Sequence, residues 1–199
     1  LVQLAYPGTP VLHSNLISLM HPRTGGYIAH FPIPLRWMAV QMAHAWGVPS
    51  LGGGSVSVDA AQIDSWSAGL DTASGAMTIP FYGGEICGYL GLMGSSMILH
   101  PEHMVLQHEA CQHTYELLHG FKFDEADIAL DVIANVGPRG HFLSQKHTRK
   151  RIRDFHLTSL DYEDANGNPR DTQEVALEKF RHLNETHHPE PLPDEVLAE

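Results

Sequence analysis

At 199 residues with 43% apolar side chains, the chain can build one soluble globular core, and no apolar run approaches the length that crosses a bilayer. Its 12 basic and 23 acidic residues give a net charge of -11, which repels phosphate backbones and argues against a nucleic-acid partner. No signal-peptide pattern opens the chain, and its only two cysteines, Cys87 and Cys111, suit a reducing compartment better than a disulfide scaffold, so a cytoplasmic protein is expected.

Residues 2–14 read as a strand entered through a turn at Tyr6-Pro7-Gly8-Thr9-Pro10. Starting on Leu1 directly in a strand-like phrase points to something before it, so a fragment or processed chain is expected. His13, Ser14 and Asn15 then fall at the carboxyl end of the strand, the end that faces ligand in α/β architectures. Residues 20–26, MHPRTGG, read as loop. Pro34 suits a first helical turn, and Leu35, Met38, Ala39, Met42 and Trp46 recur at helical spacing up to Gly47, predicting a core-facing helix.

Ser50 and Leu51 form a very short predicted strand leading into a glycine triplet, Gly52, Gly53 and Gly54, within LGGGSVSVD. Ser57 or Asp59 can cap the next helix, whose apolar positions are Ile63, Trp66, Leu70, Ala73 and Met77. After Gly83-Gly84, residues 86–90 read as a short buried strand and residues 91–96, GLMGSS, as a second permissive loop. Pro101 opens a helix with Met104, His108, Cys111, Tyr115 and Leu118 on one stripe. Asp124, Glu125 and Asp127 load the first turn of another, closed by Gly137-Pro138. Strand and helix therefore alternate, which predicts a parallel sheet with helical crossovers.

The five basic side chains of residues 146–153 read as a solvated helical face. From Leu157 onward 3 basic residues stand against 11 acidic ones, so most of the negative charge lies in a carboxyl-terminal extension. That extension, residues 157–199, is read apart from a main body at 1–156, with one short helix at 174–183 and a loose tail beyond Thr186.

Three glycines followed by small and hydroxyl residues leave main chain with almost no side-chain cover, as in a flexible turn or in the floor of a site that something bulky approaches. The 15 histidines make metal binding worth testing. His108-Glu109 followed by His113 is one residue too long for a zinc HExxH pair, and His103 and His108 are five apart, so no directly bound metal is expected. Cys111 on an apolar stripe reads as a small core residue. No GxSxG elbow is present, and the serines beside the glycines lack a local activating partner. A pocket remains: His13, Asn15, Ser55, Glu85 and Tyr89 from strand ends, with Trp66, Phe81, Tyr82 and Met93 as apolar and aromatic surface nearby. Aromatic faces and a carboxylate suit a small cationic ligand.

The phrases YPGTPVLHSN, MHPRTGG, WGVPS before LGGGSVSVDAAQID, WSAGL, and DIALDVIANVGPRGHFLSQKHT closely resemble the carboxyl-terminal half of the trimethylamine:corrinoid methyltransferase family. The resemblance covers residues 2–155, and GPRGHFLSQKHT is its most specific part. It implies a (β/α)8 TIM-type barrel, of which this chain carries the later strands and the helices that follow. The mouth of such a barrel stacks on a separate small corrinoid protein and passes a methyl group from a methylated amine to Co(I), the corrinoid being carried by that partner.

In the trimethylamine-specific members a pyrrolysine follows the segment matching LGGGSVSVD. Here that position falls among Val56, Ser57 and Val58, none of which can form a covalent adduct with an amine. The chain therefore resembles the non-pyrrolysine branch, whose characterised members demethylate quaternary amines such as glycine betaine. The resemblance then implies a substrate cavity of His13, Asn15, Ser55, Glu85 and Tyr89, with Gly52, Gly53, Gly54 and Met93 facing the corrinoid. A betaine-binding protein without methyl transfer, or an inactive truncated family member, are the other functions weighed, and self-association into a homo-oligomer is left open.

Overall fold

The computed structural model describes residues 1–14, 19–28, 33–55, 62–120, 124–152, 158, 160 and 162–192. In place of the strand predicted at 2–14, residues Val2–Ala5 form a helical turn, α1. The N–H groups of Leu4 and Ala5 bond back to the Leu1 carbonyl, so local bonding takes the place of a sheet partner. Only His13–Ser14 is extended, as β1. The loop predicted at 20–26 is present at 21–26, as the connection of a hairpin in which Leu19–Met20 (β2) pairs antiparallel with Tyr27–Ile28 (β3). His21 shapes its bend: its Nδ1 accepts from the N–H of Thr24 at 3.2 Å, and its carbonyl accepts from Gly25.

Helix α2, Ile33–Ala45, leads to β4, Ser50–Ser55. The glycine triplet thus lies inside a central strand, and the short strand expected at Ser50 and Leu51 runs through it. β4 pairs in parallel with β1 on one side, His13 opposite Ser50 and Ser14 opposite Leu51. On the other side it pairs in parallel with β5, Ile86–Gly88, with Leu51 opposite Ile86 and Ser55 opposite Gly88. Between those two pairs β4 advances four residues and β5 only two, so the glycine run absorbs the mismatch as an irregularity. The sheet order β1-β4-β5 follows the chain, with α2 and then α3, Trp66–Phe81, as the crossovers. The parallel sheet with helical crossovers is therefore present.

The α3 start is capped by Ser65, whose Oγ accepts from the Ala68 N–H at 3.1 Å. The cap expected at Ser57 or Asp59 lies outside the described residues. After β5, the predicted loop at 91–96 is largely a second hairpin, β6 (Leu92–Met93) against β7 (Ile98–Leu99). Its tip runs through left-handed backbone at Gly94, Ser95 and Ser96. Helix α4, Pro101–His119, opens on Pro101 as expected. The next predicted helix is broken in two, α5 (Glu125–Ile128) and α6 (Leu130–Val136), by Ala129 at φ 50°, ψ 44°. Asp124 and Asp127 cap α5 reciprocally, and Gly137 closes α6 as expected, its N–H bonding to the Ile133 carbonyl.

A 3-10 turn at Phe142–Ser144 connects to α7, Lys146–Arg151. The basic face is exposed at Lys146, Arg149 and Lys150, while Arg151 pairs with Asp127. In the acidic extension, α8 spans Thr172–Thr186, longer than expected, capped by Asp171 and packed on α4 through buried Val175 and Ala176. Thr158 adds a second tie, its Oγ1 donating to Glu109 Oε2 of α4 at 2.7 Å.

The predicted helical periods are present, but the buried faces are rotated. In α2 the buried residues are Arg36, Ala39, Val40 and Ala43, whereas Met38, Met42 and Trp46 face outward. In α3 they are Ala68, Asp71, Thr72, Gly75, Ala76 and Ile79, while Trp66, Leu70 and Met77 are exposed. In α4, His103, Gln107, Glu109 and Thr114 are buried and Met104, Tyr115 and Leu118 exposed. Small and polar residues, rather than the large apolar ones, let these helices pack closely.

Candidate functional site

Strand direction separates the predicted site residues into two groups. His13 lies level with Ser50, the first residue of β4, and its ring meets Trp46 edge-on at 4.9 Å. Glu85 precedes β5, where its Oε2 accepts from the Ser50 N–H at 2.8 Å and its Oε1 lies 2.8 Å from His44 Nε2. The Ser50 N–H, and after it His44, hold the Glu85 carboxyl below its ordinary 4.5. Both residues thus sit at the amino end of the sheet and tie it to the end of α2. This corrects the expectation that they share the carboxyl-end pocket.

At the carboxyl ends the sheet brings together Ser55, the last residue of β4, and Gly88, the last of β5, with Tyr89 directly following. The backbone of Gly52, Gly53 and Gly54 leads up to this edge. Asn15, Val56, Ser57 and Val58 lie outside the described residues. Met93, expected to face the corrinoid, is wholly buried against Ile63 and Ala68 with Leu106 over it, so it is core. Trp66 starts α3 and is 85% exposed, whereas Phe81 and Tyr82 sit at the far end of that helix, next to the Glu85 side of the sheet.

Tyr89 adopts left-handed backbone at φ 65°, a conformation a bulky side chain holds only where its surroundings fix it. Two residues further on, at Gly91, the chain is held by a buried polar network that the sequence reading missed. Gln107 of α4, fully buried, accepts the Gly91 N–H on Oε1 at 2.6 Å and donates from Nε2 to Thr72 Oγ1 of α3 at 3.3 Å. His103, one turn before Gln107, brings Nε2 to 3.4 Å from the same hydroxyl. Burial, and after it the charge of His100, lowers the His103 pKa from 6.5 to about 4, so its imidazole is neutral. Gly91 itself is held at φ 82°, and a Cβ there would meet Met104 Cβ at 3.0 Å. The signal available in sequence was the i, i+4 pair His103 and Gln107 on one helical face.

His100 Nδ1 lies 2.7 Å from Glu102 Oε2, and His108 and His113 are exposed. Among the described residues no three His, Cys, Asp or Glu side chains gather closely enough to hold a metal ion, and no helix is long and apolar enough to cross a membrane. The GPRGH segment is a compact bend: Arg139 is left-handed at φ 65°, and the Gly140 N–H bonds to the Gly137 carbonyl at 3.3 Å. A side chain at Gly140 would strike the Val136 carbonyl. Backbone geometry thus explains both glycines of the most specific phrase.

Comparison with known proteins gives a consistent assignment. The family model described as trimethylamine methyltransferase (MTTB) matches residues 1–199, further than the resemblance read from the sequence. The glycine betaine methyltransferase of Desulfitobacterium hafniense strain Y51 is 32% identical over 164 residues, covering 80% of this chain and 34% of that protein. The L-carnitine:corrinoid methyltransferase of Eubacterium limosum is 29% identical over 166 residues, covering 80% and 33%. The trimethylamine methyltransferase MttB of D. hafniense strain DSM 10664 / DCB-2 is 24% identical over 207 residues, covering 100% and 41%. The chain spans between 33% and 41% of the length of these relatives. It belongs to the trimethylamine methyltransferase family.

Proposed function

We propose that this chain is the later part of a (β/α)8 barrel that transfers a methyl group from a quaternary amine to the Co(I) corrinoid of a partner protein. The observation that carries the reading is the order of resemblance. Relatives named for glycine betaine and L-carnitine, both trimethylammonium compounds, are 32% and 29% identical, against 24% for the relative named for trimethylamine. The sheet supports the barrel: β1, β4 and β5 lie side by side, parallel and in chain order, with α2 and α3 as their connections, as successive strands of a singly wound barrel do. A domain wound on both faces would reverse its strand order instead.

The chemistry agrees with a site that has no covalent helper. A quaternary nitrogen carries a full positive charge and departs with its electron pair as a neutral tertiary amine when the methyl moves to Co(I). The protein then has mainly to position the donor and exclude water. In this proposal Tyr89 offers an aromatic face to the ammonium, Ser55 and Asn15 polar contacts, and the Gly52, Gly53 and Gly54 main chain room for the corrinoid to approach. The acceptor is a substrate presented by its own carrier protein.

The complete polypeptide, mixed with Co(I)-cobalamin and separately with glycine betaine, L-carnitine and trimethylamine, tests this. Methylcobalamin is expected to form from at least one quaternary donor and not from trimethylamine. Methylation from trimethylamine alone overturns the proposal. Tight binding of a betaine with no methylcobalamin from any donor favours a binding protein instead.

A further inference from the structure

Cys87 and Cys111 are 24 positions apart in sequence, yet their sulfurs lie 3.8 Å from each other. Cys87 is the middle residue of β5 and Cys111 lies on α4, and both are free and half-buried. Two isolated core thiols have no need to meet. A disulfide has sulfurs about 2.05 Å apart, so the pair stands under 2 Å, about the length of one bond, from closure.

We propose that Cys87 and Cys111 form a reversible dithiol–disulfide couple that fastens β5 to α4, with a low-molecular-weight disulfide such as oxidised glutathione as the oxidant. Cys111 is the attacking thiol. The contact with Cys87 holds the Cys111 thiol below its ordinary value, whereas Cys87 is pushed well up by the same contact and by burial. The Cys111 thiolate bonds to one sulfur of the oxidant and expels the other as a thiolate, which takes up a proton. Cys87 then loses its proton, bonds to the Cys111 sulfur and expels the second thiolate, which is protonated in turn. Two protein thiols are oxidised to one disulfide, and one small disulfide is reduced to two thiols. Gly88 and Tyr89 follow Cys87 directly, so the bond anchors the carboxyl end of β5. The couple stands independently of the methyl-transfer reading.

The test equilibrates the chain in glutathione buffers of rising oxidised fraction, quenches with an alkylating agent and reads the intact mass and the peptide map. The wild type is expected to lose two hydrogen atoms and yield one cross-linked peptide pair joining Cys87 to Cys111. The cross-linked fraction at an intermediate buffer is expected to be at least about tenfold higher for native than for urea-unfolded chain, because the fold holds the two thiols at high effective concentration. Cys87→Ser is expected to stop at a glutathione adduct on Cys111. A wild type that stops at such an adduct, keeps both thiols alkylatable, or cross-links no better native than unfolded overturns the proposal, and the wild-type readout decides even where the variant does not fold.

Discussion

Two titrating side chains act on stability in different pH windows. His103 is only 3% exposed and stays neutral in the fold, its pKa lowered from 6.5 to about 4 chiefly by burial. The unfolded chain takes up that proton first, so the contribution of His103 is complete above about pH 6.5 and drains as pH falls toward 4, by at most about 3 kcal/mol. Replacing it with glutamine, which can still meet Thr72 but does not titrate, is expected to flatten that loss. Urea midpoints at pH 7 and pH 5 measure it, and an equally steep drop in wild type and His103→Gln counts against the assignment. Glu85 works lower. Its carboxyl lies below 4.5, so the bond to the Ser50 N–H stabilises the fold above that value and fades as pH falls through the depressed one. Because the side chain is 43% exposed, Glu85→Gln is expected to cost under about 1 kcal/mol at pH 7, with the difference from wild type closing only below pH 4.5.

The helices show how far the sequence could be read. The main helices and their order were legible because Pro34, Pro101 and Gly137 punctuate the chain by fixed backbone rules, and the recurrence at three and four residues gave the right period, whereas the α1 turn and the break at Ala129 were not. The phase was not legible. Helices α2 and α3 each carry two apolar stripes, one of small residues and one of Met, Trp, Leu and Phe, and hydrophobicity favours the larger while close packing favours the smaller. The fold buries Ala39, Ala43, Ala68 and Ala76. Strand direction hid part of the site as well, because Glu85 stands beside a strand, but the three residues of β5, Ile86–Gly88, separate it from the carboxyl end. The glycine triplet likewise reads as a turn until β1 and β5 flank it and make it a strand. Ala43, wholly buried, and Met42, 45% exposed, are adjacent residues that separate the two phases. Ala43→Leu is expected to cost about 1–3 kcal/mol by overpacking, and Met42→Lys less than about 0.5 kcal/mol, in chemical denaturation. The reverse ranking requires α2 to be turned over.

For the whole molecule, the outward stripes raise a question of solubility that no single helix does. Trp37, Met38 and Met42 on α2, Trp46 just after it, and Trp66, Leu70, Met77 and Phe81 on α3, are between 43% and 85% exposed, and so many large exposed apolar side chains are a liability where they adjoin. The sheet adds to it. Parallel sheets are normally covered on both faces, yet Ile86 at 41% exposure shows apolar surface on β5. The net charge of -11 opposes association, but most of it lies in the carboxyl-terminal extension and not on these helices. The 199-residue chain expressed by itself is therefore expected to self-associate at micromolar concentration and to bind a hydrophobic dye. Trp66→Lys combined with Phe81→Lys removes the two most exposed side chains of the α3 stripe without touching a buried one. Sedimentation velocity is expected to show the double variant shifted toward monomer with dye binding reduced, and a wild type that runs as a dye-silent monomer means that these faces do not drive association.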